Sequence, residues 1–136
     1  MSSDWTKIYS YNIGDNPVRT IGVDQDGQFV IESPPKLTIL KEPKDYVALL
    51  TVLETDRGKF EQALREKNIE KEKTNKLKSE LYKCGLTVSP YWTKLVINWI
   101  DTEDIDEELK KFLRPTIFDT KVNQQLRHRV RTLIKE

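Results

Sequence analysis

The hydrophobic pattern of the chain changes period once, just after residue 42. Before that point apolar residues recur at every second position. In WTKIYSYNI, Tyr9, Tyr11 and Ile13 alternate with polar residues, the spacing of a half-buried strand. GDNP at 14–17 is a turn cluster. VRTIGVD then sets Ile21 and Val23 on one face, DQDGQ turns the chain, and QFVIES returns with Phe29 and Ile31 on one face. Gly27 supplies the positive φ that such a hairpin needs. Pro34-Pro35 has no backbone donors and is expected to interrupt pairing. KLTIL, with Leu37 and Ile39, reads as a short fourth strand added to a two- or three-stranded meander.

From residue 43 the period becomes helical. Tyr46, Leu49, Leu50 and Leu53 form one stripe that Val47 and Val52 widen, which predicts a mostly buried helix. Asp56 is placed to cap the next segment, 57–84. Its apolar residues gather at the two ends, Phe60, Ala63 and Leu64, then Leu77, Leu81 and Cys84. Only Ile69 lies between, so no heptad survives. The segment is either one long helix or two that meet near Lys73–Asn75, with Gly85 as the residue that ends it. Ser89-Pro90 opens a further helix, and YWTKLVINWI is apolar nearly all round, as a central core helix would be.

Asp104 and Glu107 have the spacing of a capping box for a helix whose Ile105, Leu109, Phe112 and Leu113 share a face and which Pro115 ends. The last helix is expected from near Asp119, with Val122, Leu126, Val130, Leu133 and Ile134 on one stripe. These elements predict an α+β fold. A small N-terminal antiparallel β-meander, about residues 5–41, is followed by a bundle of five or six helices. One domain, 1–136, holds a β-rich part (1–42) and a helical part (43–136).

Charge refines this picture. The net charge is only +1, so no global field draws the protein onto a polyanion. Locally the balance swings. Residues 1–56 carry five basic and nine acidic groups, 57–84 nine and five, and 109–136 eight and two. DTEDIDEE at 101–108 holds six carboxylates and no base. At a helix start such carboxylates complement the unpaired N–H groups and the dipole. Both this run and DQDG lack the ligand spacing of a calcium loop, so first-turn and turn chemistry are expected there.

Catalytic constellations are missing from the residue inventory. His128, the single histidine, sits between two arginines in RHRVR, which orients it toward no nucleophile. Five scattered glycines make neither a phosphate loop nor a dinucleotide turn. One cysteine, Cys84, excludes an internal disulfide and a multi-thiolate zinc site. With the polar start MSSDW, it points to a reducing cytoplasmic setting. The apolar stretches near 46–53 and 95–100 are too short to span a bilayer. The expectation is a soluble protein that is not an enzyme and needs no cofactor or metal.

LKSELYKCGLTVSPYWTKLVINWI, residues 77–100, places a glycine–aliphatic–hydroxyl turn between two helical stretches and resembles helix-turn-helix proteins in outline. That resemblance implies a recognition helix, but Thr93, Lys94 and Asn98 are the polar residues of its first three turns, too few to read base edges. The pair reads as core. Arg127, His128, Arg131 and Lys135 lie opposite the apolar stripe of the last helix, and Lys110, Lys111 and Arg114 precede them. These seven are candidate polyanion-binding residues, with no aromatic among them for base stacking. Trp5, Tyr9 and Tyr11 fall in a strand at a sheet edge and are candidate protein-docking residues.

The function these features favour is a non-enzymatic intracellular interaction or adaptor protein, or a complex subunit. It would bind a partner protein through its sheet edge or charged helical faces. The alternative is a nucleic-acid-binding protein using the basic C-terminal helix, together with a degenerate helix-turn-helix at 77–100.

Overall fold

Residues 5–135 are described by a computed structural model that begins with an antiparallel sheet. Its strands, β1 (Trp5–Tyr11), β2 (Arg19–Asp24), β3 (Phe29–Ser33) and β4 (Lys36–Ile39), are ordered β1-β2-β3-β4. The β2–β3 turn works as its sequence predicts. Gly27 has φ +79°, and the Asp24 carboxylate accepts hydrogen bonds from the N–H groups of Asp26 and Gln28, each 2.9 Å. Pro34-Pro35, joined by a cis peptide, does not interrupt pairing. Ser33 pairs directly with Lys36, so the two prolines are the loop of the β3–β4 hairpin. A loop residue gives no ladder bond, and the missing N–H groups cost nothing there.

One residue out of register in β1 decides what the sheet shows to each side. Lys7 pairs with Gly22 and Tyr9 with Ile21, leaving Ile8 as a bulge. Side chains alternate faces along a strand, so an extra residue reverses the phase. After the bulge, Tyr9 and Tyr11 share the face of Ile21 and Ile31, which is packed against the helices. Before it, Trp5 and Lys7 share the opposite face with Gly22 and Val30.

A 3-10 helix, Pro43–Glu54, follows the sheet. The predicted helix is therefore present but wound more tightly. Tyr46, Leu49 and Val52 are buried at a spacing of three, the period of a 3-10 helix. Leu50 and Leu53 are buried beside them, and Val47 is exposed. Asp45 closes the N-terminus by accepting from the N–H groups of Lys41 and Glu42, which holds its pKa below the ordinary value.

Segment 57–84 is two helices, α1 (Arg57–Glu66) and α2 (Lys71–Val88). Asp56 caps α1 through the Gly58 N–H at 2.8 Å. The break comes earlier than Lys73–Asn75. Asn68 adopts φ +55°, the Asn68 N–H donates to Arg65 O, and the Ile69 N–H donates to Leu64 O. This is a Schellman ending, in which Ile69 also packs as the apolar residue after the turn. Gly85 ends nothing, because α2 runs through it to Val88. A Cβ there would lie 2.5 Å from Val96 Cγ2, so the glycine is the contact that lets α3 (Pro90–Trp99) approach.

Pro90 starts α3 as predicted, while the Ser89 side chain makes no capping bond. The Thr93 hydroxyl reaches back to the carbonyls of Ser89 and Gly85 at 3.0 and 3.2 Å, pinning the two helices together. Asp104 does not cap the following helix. It closes a 3-10 turn, Thr102–Asp104, and α4 (Glu107–Leu113) is capped by Asp106 through the Leu109 N–H. A third 3-10 helix, Arg114–Phe118, leads to α5 (Gln124–Leu133). Its start is Asn123, whose side chain accepts from the Leu126 N–H, rather than Asp119. Asp119 is spent on the intervening turn, accepting from the Lys121 N–H.

The core joins sheet to helices. Tyr11, Tyr9, Phe60 and Trp99 form a run of ring contacts with centroids 5.8, 5.7 and 5.9 Å apart, linking β1 through α1 to α3. Leu49, Leu81, Ile97 and Leu113 complete it from four different elements.

Candidate functional site

The three residues expected to dock a partner are separated by the β1 bulge. Tyr11 is buried, and its hydroxyl is 2.9 Å from Thr51 Oγ1. Burial raises its pKa, which the Thr51 hydrogen bond only partly opposes. Tyr9 is half-buried against Phe60. Tyr11 belongs to the core, and Tyr9 packs against it. Trp5 alone is directed to the other face, where its ring lies over Gly22. A Cβ at Gly22 would be 2.5 Å from Trp5 Cε3.

That outer face is more apolar than a solvated face needs to be. Gly22, Val30 and Ile39 are cross-strand partners in a row over β2, β3 and β4. Val30 is 1% exposed although it lies outside the main hydrophobic core. Ile39 and Leu37, on edge strand β4, are 39% and 37% exposed. Single exposed apolar residues are ordinary. A buried valine, with a tryptophan over the neighbouring Gly22 and Ile39 and Leu37 beyond it, makes an apolar patch, and patches mark interaction surfaces. Lys7 on β1 and Glu32 on β3 lie on this same face. The sequence signal was present in Leu37 and Ile39, which share a parity on β4, but the bulge that adds Trp5 is invisible to alternation.

The seven candidate polyanion-binding residues divide differently. Lys110 pairs with Glu107 at 3.2 Å, an exposed pair of small energetic weight. Lys111 and Arg114 are exposed. On α5, His128, Arg131 and Lys135 are exposed and Arg127 is half-buried, with its Nε enclosed and unbonded. Arg129, between them, has another role. Its Nε donates to Ile97 O at 2.8 Å and its Nη2 to Ile100 O at 2.7 Å, closing the C-terminal end of α3. The six carboxylates of 101–108 do not form ion pairs with α5. Instead Asp101 and Asp104 meet Arg57, Glu108 meets Lys83 and Glu107 meets Lys110.

Asp104 lies at the centre of an ion network that sequence spacing does not reveal. Lys78 Nζ is 2.8 Å from both Glu61 and Asp104, and Arg57 lies 3.3 Å from Asp104 and 3.4 Å from Glu61. The Tyr82 hydroxyl donates to Asp104 at 3.4 Å, and Arg57 also donates to Trp99 O. Burial opposes the charge on Lys78, but its bonds to Asp104 and Glu61 hold its pKa above the ordinary value. A lysine held cationic cannot act as a nucleophile at neutral pH. The network fastens α1, α2 and the 102–104 turn together. The helix pair at 77–100 is likewise structural, since Leu77, Leu81, Val96 and Ile97 are buried.

Among the described residues, no group of three His, Cys, Asp or Glu side chains is placed to hold a metal ion. Among the described residues, no helix is long and apolar enough to cross a membrane. No protein family, curated protein or solved structure matches the chain.

Proposed function

We propose that this is a non-enzymatic interaction protein, an adaptor or complex subunit, that docks a partner protein through the outer face of its N-terminal sheet. The observation that carries the reading is the row Gly22–Val30–Ile39 with Trp5 above it, an apolar patch apart from the core. Its partner presents an apolar surface with charges around it that suit Lys7 and Glu32. Interfaces of this kind centre on an aromatic anchor within a drier patch.

Affinity capture with three baits tests the proposal. The wild-type chain is expected to retain a stoichiometric protein that an Ile39→Lys bait of unchanged melting temperature loses. An Arg127/Arg131/Lys135→Glu bait is expected to retain it. Equal recovery with the Ile39→Lys bait refutes the outer face as the docking surface.

One observation favours a second reading, binding of single-stranded nucleic acid along the C-terminal corner. Phe118 is 80% exposed on the 3-10 helix that joins α4, with Lys111 and Arg114, to α5. It supplies the stacking aromatic that the basic segments lack in sequence. Salt-sensitive binding of an oligonucleotide, lost in Phe118→Ala, distinguishes this reading from the first.

A further inference from the structure

We infer that the cleft between the β2–β3 turn and α2 is a binding site for a small organic dianion with an apolar body, a phosphate monoester or a dicarboxylate. The cleft has a volume of ≈ 530 Å³, within the range of small-molecule pockets. Its floor is apolar, from Phe29, Leu40 and Leu77. Its charged lining is Lys41, Lys73 and Lys76 against the single carboxylate of Glu80, an excess of two positive charges that a dianion neutralises. Glu80 is itself 3.8 Å from Lys83, which offsets part of its charge.

Two features shape the cleft wall. Lys73 Nζ donates to the Gly27 carbonyl at 3.4 Å, and a Cβ at Gly27 would lie 2.7 Å from that nitrogen. The ammonium of Lys73 thus rests against the turn at the cleft wall. The second is Tyr46. It is 5% exposed and lines the cleft, yet its hydroxyl has no hydrogen-bond partner among the described residues. The hydroxyl therefore opens on the cleft, where an anionic oxygen would accept its hydrogen bond. Burial and then Glu80 push its pKa up to about 12, so the group keeps its proton and donates at neutral pH.

This site lies apart from the apolar row on the outer sheet face, so the two proposals fail independently. The test is titration of the full chain with phenyl phosphate, phthalate and inorganic phosphate, followed by amide NMR. One of the first two is expected to shift the amides of Gly27, Gln28 and Lys73 saturably, and the one that binds identifies the anion. Inorganic phosphate, without an apolar body, is expected to bind at least tenfold more weakly. Tyr46→Phe removes only the unpartnered hydroxyl and is expected to weaken binding roughly tenfold, as for a hydrogen bond to a charged group. Lys73→Gln/Lys76→Gln weakens it further, whereas Arg131→Gln leaves it unchanged. The inference is overturned if neither organic anion gives saturable shifts at millimolar concentration. It is equally overturned if inorganic phosphate binds as tightly, or if the Lys73→Gln/Lys76→Gln variant binds as the wild type does.

Discussion

Trp5 lies across the backbone of Gly22, so closely that a Cβ on Gly22 would fall 2.5 Å from the indole ring. The same Cβ would also collide with the carbonyl oxygen of Thr6 on the neighbouring strand. Glycine is what allows the tryptophan ring to approach the sheet this closely. Gly22→Ala is therefore expected to destabilise the fold by about 1–3 kcal/mol, the cost of an overpacked site. Chemical denaturation of the variant measures this. An unchanged midpoint would show that Trp5 does not rest on Gly22.

The ion network around Lys78 predicts a stability profile limited at both ends of the pH scale. Burial raises the Glu61 pKa, but hydrogen bonding and attraction from Lys78 and Arg57 outweigh it and leave it below the ordinary 4.5. A carboxylate depressed in the folded state contributes stability above its unfolded pKa and loses it as pH falls through the folded value. Lys78, raised above 10.5, behaves in the opposite sense. Its contribution is complete below 10.5 and disappears as pH rises through the folded value. Stability measured against pH should fall below about 4.5, and Glu61→Gln should flatten that acid limb.

Lys78 also carries the network's packing. Lys78→Met leaves Asp104, whose side chain is 4% exposed, without its closest cation. Removing one member of a buried pair is expected to cost about 3–5 kcal/mol. A loss below 1 kcal/mol would mean that Arg57 alone satisfies Asp104.

Two arginines two residues apart on α5, and so on different faces, should behave differently. Arg129 closes α3 through the carbonyls of Ile97 and Ile100, and Arg129→Ala is expected to cost about 2 kcal/mol for the lost charge-assisted bonds. Arg131 is exposed, and Arg131→Ala should stay within about 0.5 kcal/mol. Thermal unfolding of the two variants makes the comparison. Equal melting temperatures would free α5 from its role as a clamp.

Much of the fold is legible because strand and helix periods are local signals. The four strands, the Asp56 cap and the stripe of Val122, Leu126 and Val130 need only neighbouring residues to be recognised. Other features depend on partners distant in sequence. Gly85 has the look of a helix end until Val96 is seen against it. Asp104 has the look of a cap until Arg57 and Lys78 are found around it. The helix break at Asn68 was locally readable, since asparagine tolerates positive φ, but the cap-like Thr74 and Asn75 compete with it. The placement of the expected docking residues was half legible. Trp5, Tyr9 and Tyr11 share a parity in sequence, and one bulged residue, Ile8, sends the tryptophan out and the tyrosines in.

The outer sheet face is tested most directly by photo-crosslinking. A benzophenone amino acid is placed at position 39 in one chain and at position 131 in another, and each is irradiated in host extract. Docking through the Trp5–Val30–Ile39 patch predicts one discrete protein adduct from position 39 and none of the same mass from position 131. An adduct formed at position 131, with position 39 remaining uncrosslinked, would contradict it and move the interface to the basic helix.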